Sequence, residues 1–476
     1  MIPFPAVRRS LAPLVLILTL ACAADRPAPV PETAPAAVPA PAEDPGARAI
    51  TAEEAVADFE TAWRAIAETY FDPTFHGLDW PGIRDELLPR AEAATTRREA
   101  RAVIRDMLAR LEQSHFSLLP AEFLPSAAGT AILGVGDDAE TEASAAVAGG
   151  VGLDVRLRNG ALLVTEVEAD GPAAAAGVRT GWLLRRAGEV ELDPLLAELA
   201  SAEEELYPRL IAYAARDVFL DATYGEVGSK VELAFLDAAD QEVVLSIPRA
   251  LRDVVAHAAS TTLPTFYLEF ASEAIERDGK RFGRIHFTNW FLPMAYRIDE
   301  AVDAMRGGDG IVIDLRGNGG GVLAMCMGLA GHFFAAKVEL GTMRFHDTTM
   351  RLAVTPRRLS RTGEPVAPFA GPVAILVDET SGSASEVFSG GMQSVGRARV
   401  FGETSVGGVL PARMTELPSG DALLHAMADF RTADGTLLEH RGVIPDEIVP
   451  LTREALLAGE DVVLEAALRW FAAAAH

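Results

Sequence analysis

The stretch from Pro372 to Gly391, PVAILVDETSGSASEVFSGG, constrains the fold most, because it changes physical character in its middle. Val373 to Val377 is a continuous apolar run, the pattern of a strand covered on both faces. Ser381, Gly382 and Ser383 then supply small residues for a sharp turn. After Ala384-Ser385-Glu386, the apolar positions Val387, Phe388 and Met392 have helical spacing. Ser383 is thereby predicted at a helix N-terminus and at the carboxyl end of a buried strand, where unpaired first-turn N–H groups can face a developing negative charge. That placement suits a nucleophile. It equally suits an N-cap, and these residues alone leave both readings open.

The rest of the chain narrows the function class. Its 476 residues leave room for two or three domains, and 49% hydrophobic residues supply ordinary cores. Asp and Glu number 68 against 42 Lys and Arg, a formal charge of −26 that repels nucleic acid and anionic lipid. Near the start, Arg8 and Arg9 precede an apolar core from Leu11 to Leu20, too short for a stable membrane span. This reads as a secretory signal over residues 1–22. Its end, Thr19-Leu20-Ala21-Cys22, resembles a bacterial lipoprotein signal in which Cys22 would be lipidated; simple cleavage is the alternative. Seven prolines between Pro27 and Pro45 make residues 23–50 an extended tether. The expected location is the bacterial cell envelope, as a periplasmic or membrane-anchored protein. Apart from Cys22, Cys326 is the only cysteine, in an apolar run, and reads as a buried spectator. Nine histidines without HExxH or CxxC spacing give no metal signal, and no cofactor is expected.

Taken in order, residues 51–125 form a helical segment. It opens on the Thr51/Glu54 capping-box spacing and closes on Gln113-Ser114-His115. A histidine just beyond a helix end is ordinarily a surface or C-cap residue. Residues 126–150 read as an interdomain loop. Residues 149–250 alternate as short strands around the turn Arg158-Asn159-Gly160. Their order resembles a bacterial PDZ domain. The resemblance puts Gly150, Val151, Gly152 and Leu153 at the loop that receives a peptide C-terminus. Two departures are Trp182, where aspartate is usual, and a helical insertion over about Leu195 to Leu220. Residues 265–452 alternate strands and helices, an α/β core. One of its strands, Gly310 to Leu315, runs into Arg316-Gly317-Asn318-Gly319-Gly320-Gly321, and a terminal helix is expected over 453–476.

Together, IVIDLRGNGGG, GSASE, VFGETSVGG and EHRGVIPDEIV resemble, in the same order, the catalytic core of the C-terminal processing peptidases and the related tricorn core proteases. The resemblance covers nearly all of the chain beyond the tether. It implies a crotonase-like core of packed ββα units carrying an N-terminal helical segment and an inserted PDZ-like β domain. In the processing peptidases a lysine within a Phe-Gly-Lys sequence is the general base. Here the loop reads Val406-Gly407-Gly408, and the only lysines are Lys230, Lys280 and Lys337, none after Ser383. The tricorn-like branch uses a Ser-His pair, the nucleophilic serine and a glutamate, matched by Ser114, His115, Ser383 and Glu439. The resemblance thus implies that Ser383 attacks a peptide carbonyl while His115 moves its proton. Glu439, through the Ser114 hydroxyl, would orient the imidazole, and the N–H groups of Ala384 and Gly320, give or take one glycine, would form the oxyanion hole. The implied partner is a polypeptide substrate. A non-catalytic carrier or PDZ scaffold on the same fold is the competing reading.

Overall fold

The computed structural model describes residues 47–121, 148–201, 208–251, 254–257 and 266–474. The signal, Cys22 and most of the tether and of the 126–150 loop lie outside the described residues. At the tether's end, Arg48 and Ile50 hydrogen-bond to Arg97 and Thr95.

The core is a seven-stranded sheet. In spatial order its strands are Val254–His257, Phe266–Arg277, Lys280–Phe287, Gly310–Asp314, Val373–Val377, Arg399–Gly402 and Glu447–Ile448. From Lys280–Phe287 onward every neighbouring pair is parallel. Alternation along the central strands sorts their side chains into two cores. Ile311, Ile313, Val373, Ile375 and Val377 pack with Trp290, Met294, Cys326 and Phe388 on one face. Val312, Ala374 and Leu376 pack with Val463, Ala467 and Phe471 on the other. Burial on both faces is why these strands read as unbroken apolar runs.

Because the strands are parallel and adjacent, their carboxyl ends share one edge. Gly310–Asp314 delivers the glycine run there, Val373–Val377 the Ser383 turn, and Arg399–Gly402 the loop containing Gly407 and Gly408. Crevices outside such strand ends are where α/β sheets bind ligands.

The helices Ala52–Thr69, Trp80–Glu92 and Arg97–Ala109 bring a fourth contribution to this edge. Both Thr51/Glu54 and Thr96/Glu99 form capping boxes. The strand Ser117–Leu119 pairs antiparallel with Ala422–Ala426, Ser117 opposite Leu424. Phe59, Trp80, Leu87 and Met107 share one apolar cluster with Leu410, Leu417 and Leu423. Where helix and core meet, Arg101 Nε and NH2 donate to Asp421 at 2.7 and 2.8 Å, both side chains nearly fully buried. Removing one partner of such a pair strands the other's charge, so Arg101→Met should cost about 3 kcal/mol in urea unfolding. An unchanged midpoint would show that the pair contributes nothing net.

Residues 148–251 form a mainly antiparallel β unit, its main strands in the order Leu153–Arg158, Ala161–Val167, Leu183–Ala187, Lys230–Leu236 and Glu242–Pro248. Asn159 and Gly160 both have positive φ, as a tight two-residue hairpin turn requires. The insertion forms the helices Leu192–Ser201 and Pro208–Thr223, and Leu192, Leu196 and Phe219 belong to the unit's own core. Trp182 packs edge-on against Phe235, so an apolar contact replaces the expected aspartate.

One expectation is corrected. The terminal helix is two helices, Arg453–Leu457 and Val462–Ala474, because Gly459 between them takes a left-handed φ of 75° that ends the first. Glu439 lies in a turn followed by His440 at φ 62°.

Candidate active site

Ser383 begins the helix Ala384–Ser394 with φ 52° and ψ −115°, a backbone conformation that L-residues seldom adopt, and forms a capping box with Glu386 three residues on. Such a conformation persists only where its surroundings over-determine it, and here they do. The Ser383 N–H donates to Gly408 O at 3.0 Å and to Glu386 Oε2 at 3.0 Å. Before it, Asp378 Oδ1 accepts from Thr380 N–H at 3.0 Å and from its hydroxyl at 2.7 Å. Ser381 Oγ donates to Leu315 O at 2.8 Å and accepts from Asp378 N–H at 2.9 Å. Ser383 is thus the N-cap of the helix and stands on a strained strand-to-helix elbow, so the cap and nucleophile readings meet in one residue.

The glycine run lies against this elbow. A Cβ built on Gly320, whose φ is 108°, would sit 2.7 Å from Ser383 Cβ and 3.1 Å from Ala384 N. The Ala384 N–H has no hydrogen-bond partner among the described residues. The Gly320 N–H is engaged, donating to Asn318 Oδ1 at 3.0 Å. Its use as an oxyanion donor therefore requires exchange of that bond. Buried Asn318 also donates from Nδ2 to Phe287 O at 2.8 Å, and its carbonyl accepts from Ser385 Oγ at 3.0 Å. Behind the elbow, buried Cys326 directs its thiol to Ala384 O at 3.3 Å.

Ser114 and His115 sit just before the strand Ser117–Leu119, His115 at φ 61°. Ser114 Oγ and His115 Nδ1 are 2.7 Å apart. Glu439 Oε1 accepts from the Ser114 backbone N–H at 2.9 Å, and its Oε2 accepts from Val409 N–H at 2.8 Å. The carboxylate thus fixes the main chain that carries the Ser-His pair, whereas the Ser114 hydroxyl is committed to the imidazole. Burial pulls the His115 imidazole down to about 3, so it is neutral and able to accept a proton at ordinary pH.

Gly408 touches both halves. Its carbonyl takes the Ser383 N–H, and a Cβ built on it would lie 3.4 Å from Ser114 Cβ and 3.5 Å from Ser114 Oγ. Among the described residues no hydrogen bond joins the Ser383 hydroxyl to His115. Of the lysines, Lys230 and Lys337 are exposed and Lys280 is half-buried at the start of the strand Lys280–Phe287.

In the loop expected to receive peptide ends, Gly150 pairs with Ala250, and Val151 and Gly152 carbonyls accept from Ala173 and Glu168 N–H at 2.9 Å each. All four residues from Gly150 to Leu153 are buried, and a Cβ on Gly152 would meet Glu168 Oε2 at 2.9 Å. Sequence reasoning gave no role to Asp378, Asn318, Gly408 or Glu386. Only Glu386 had a legible signal, its Ser-x-x-Glu spacing from Ser383.

An α/β sheet with a serine elbow at its strand ends, beside a free backbone N–H and a histidine-bearing turn, is the framework of a serine hydrolase. Residues 281–449 match peptidase family S41, and residues 51–109 match the tricorn protease C1 domain. A carboxyl-terminal-processing protease of Picosynechococcus is 26% identical over 82% of this chain and 82% of its own length. Carboxyl-terminal-processing peptidase 2, chloroplastic, of Arabidopsis thaliana is also 26% identical, over 82% of this chain and 68% of its own. Among solved structures, the photosystem II D1 C-terminal processing protease superposes with a TM-score of 0.51 at 20% identity, covering 86% of this chain and 98% of that one. Mature CPAF does so with a TM-score of 0.52 at 12% identity, covering 85% and 94%. The chain is a serine-type peptidase, similar to the C-terminal processing proteases, with its S41 match over residues 281–449 and its tricorn C1 match over residues 51–109.

Proposed function

We propose that this peptidase cleaves polypeptides through an acyl-enzyme on Ser383, with His115 as general base and then acid, and Ser114 and Glu439 holding the imidazole in place. The observation that carries the reading is the over-determined elbow at Ser383, which abuts the unpartnered Ala384 N–H and shares Gly408 with the Ser114–His115 turn. Attack on a peptide carbonyl would put the oxyanion at the Ala384 N–H and the glycine run, where a preorganised donor stabilises charge as it develops. A side-chain rotation of Ser383 toward His115 accompanies substrate binding, since catalytic hydrogen bonds commonly tighten only in the substrate complex.

In this reading residues 265–452 are a crotonase-like catalytic core, residues 51–125 the segment donating Ser114 and His115, and residues 149–250 a PDZ-like unit. Burial of Gly150 to Leu153 means that the unit takes a peptide end only after that loop opens. Processing of polypeptide carboxyl termini, the activity in the relatives' names, is the proposed use. The proposed location is the cell envelope, with Cys22 as a lipid anchor; no helix among the described residues is long and apolar enough to cross a membrane.

A fluorophosphonate probe tests the central claim, because it reacts with activated serines. Labelling should map to the peptide containing Ser383 and be blocked by prior heat unfolding. Absence of labelling of the folded protein would favour a non-catalytic carrier.

A further inference from the structure

Glu386 is fully buried one turn into the helix that Ser383 opens, and among the described residues no cation pairs with it. Its carboxylate instead gathers four neutral donors. Oε1 accepts from Ser405 Oγ at 2.5 Å and Gly407 N–H at 2.6 Å; Oε2 accepts from Ser383 N–H at 3.0 Å and Gly408 N–H at 3.1 Å. Three of the four belong to the 405–408 loop, and the fourth is the amide of the strained serine itself. Ser405 Oγ in turn accepts from Val443 N–H at 2.7 Å, and Gly407 O accepts from His440 N–H at 2.8 Å. The clasp therefore extends to the segment that carries Glu439.

We propose that Glu386 is a positioning residue for catalysis: its ionised carboxylate locks the Ser383 elbow to the 405–408 loop, and so sets the nucleophile against the Ser114–His115–Glu439 arm. Burying a carboxylate without a counter-ion is costly, and a purely structural clasp could be made from neutral groups. What the anion adds is acceptance at both oxygens, so that all four donors are held at once. Glutamine presents one acceptor oxygen and one NH2, which opposes two of the donors whichever way it is turned.

Burial pushes the Glu386 carboxyl up to about 7, against the lowering by its bonds from Ser405, Gly407 and Ser383, and the neighbouring Glu439 charge raises it further. The titratable neighbour that acts on it is Glu439, on the segment whose His440 N–H bonds Gly407 O. Protonating Glu386 removes acceptor capacity as pH falls, so reactivity at Ser383 should decline on the acid side near neutrality. Burial lowers the His115 imidazole, so its own limb lies below that of Glu386.

The inference rests on Ser383 being the nucleophile, and its test reads the maximal rate of fluorophosphonate labelling of the full chain against pH. Glu386→Gln should lower that rate about 100-fold on the alkaline plateau, leave the probe's half-saturating concentration within twofold, and abolish the acid limb near 7, so that the two rates converge as pH falls. Ser405→Ala removes one bond that favours the ionised form, so its acid limb should move to higher pH while the rate on the alkaline plateau stays within about tenfold. Should Glu386→Gln fail to fold, the limb in Ser405→Ala decides alone. A Glu386→Gln plateau rate within threefold of the parent, or an unmoved limb in Ser405→Ala, overturns the proposal. Ser383→Ala is run beside both. If it is still labelled, the nucleophile assignment has failed; if it is silent while Glu386→Gln labels normally, only the role of Glu386 has.

Discussion

Ser383→Ala should reduce hydrolysis of a denatured protein substrate by about 10³-fold or more while leaving the fold intact. The chemistry loses its attacking oxygen, and the residual rate would come from the oxyanion donors and substrate binding alone. Structurally the change is small. The bonds that hold the elbow run through the Ser383 backbone N–H and through Asp378, Thr380 and Ser381, none of which needs the Ser383 hydroxyl. The melting temperature should therefore stay the same or rise slightly. Turnover close to that of the parent would refute the nucleophile assignment.

His115→Ala should cost a comparable factor, about 10³-fold in kcat, because the serine then has no base. Its control is the variant with Lys230, Lys280 and Lys337 all changed to arginine, which should keep most of the activity. A lysine acts as a base only when desolvated and within hydrogen-bond reach of the nucleophile. Lys230 and Lys337 are exposed, and Gly408 stands in the loop where the processing peptidases carry their lysine. If His115→Ala keeps its activity and Lys337→Arg loses it, a displaced Ser-Lys pair must replace the histidine.

The elements legible from sequence were those whose local pattern and burial agree. Val373–Val377 is the clearest case: an apolar run is what a strand between two cores must be, and its boundaries came out as read. The Asn159-Gly160 turn is another, because few residues tolerate two successive positive φ values. The site was legible in its residue types and not in its wiring. Nothing local to Gln113-Ser114-His115 says that Glu439 will bond the Ser114 amide, since that contact depends on the pairing of Ser117–Leu119 with Ala422–Ala426. Asn318 taking the Gly320 N–H was equally invisible, because glycine runs advertise backbone freedom and not who claims the amides. The terminal helix was overread because apolar spacing continues on both sides of Gly459, although that glycine ends the first helix.

The Ser114–Glu439 bond joins residues 325 positions apart. A ribosome making this chain has finished the Ser-His pair and the serine elbow before the glutamate that steadies them exists. Long-range closures of this kind also form late in folding, after the entropy of bringing distant segments together has been met. A nascent chain that stops short of Glu439 therefore lacks the carboxylate that holds the Ser114 amide.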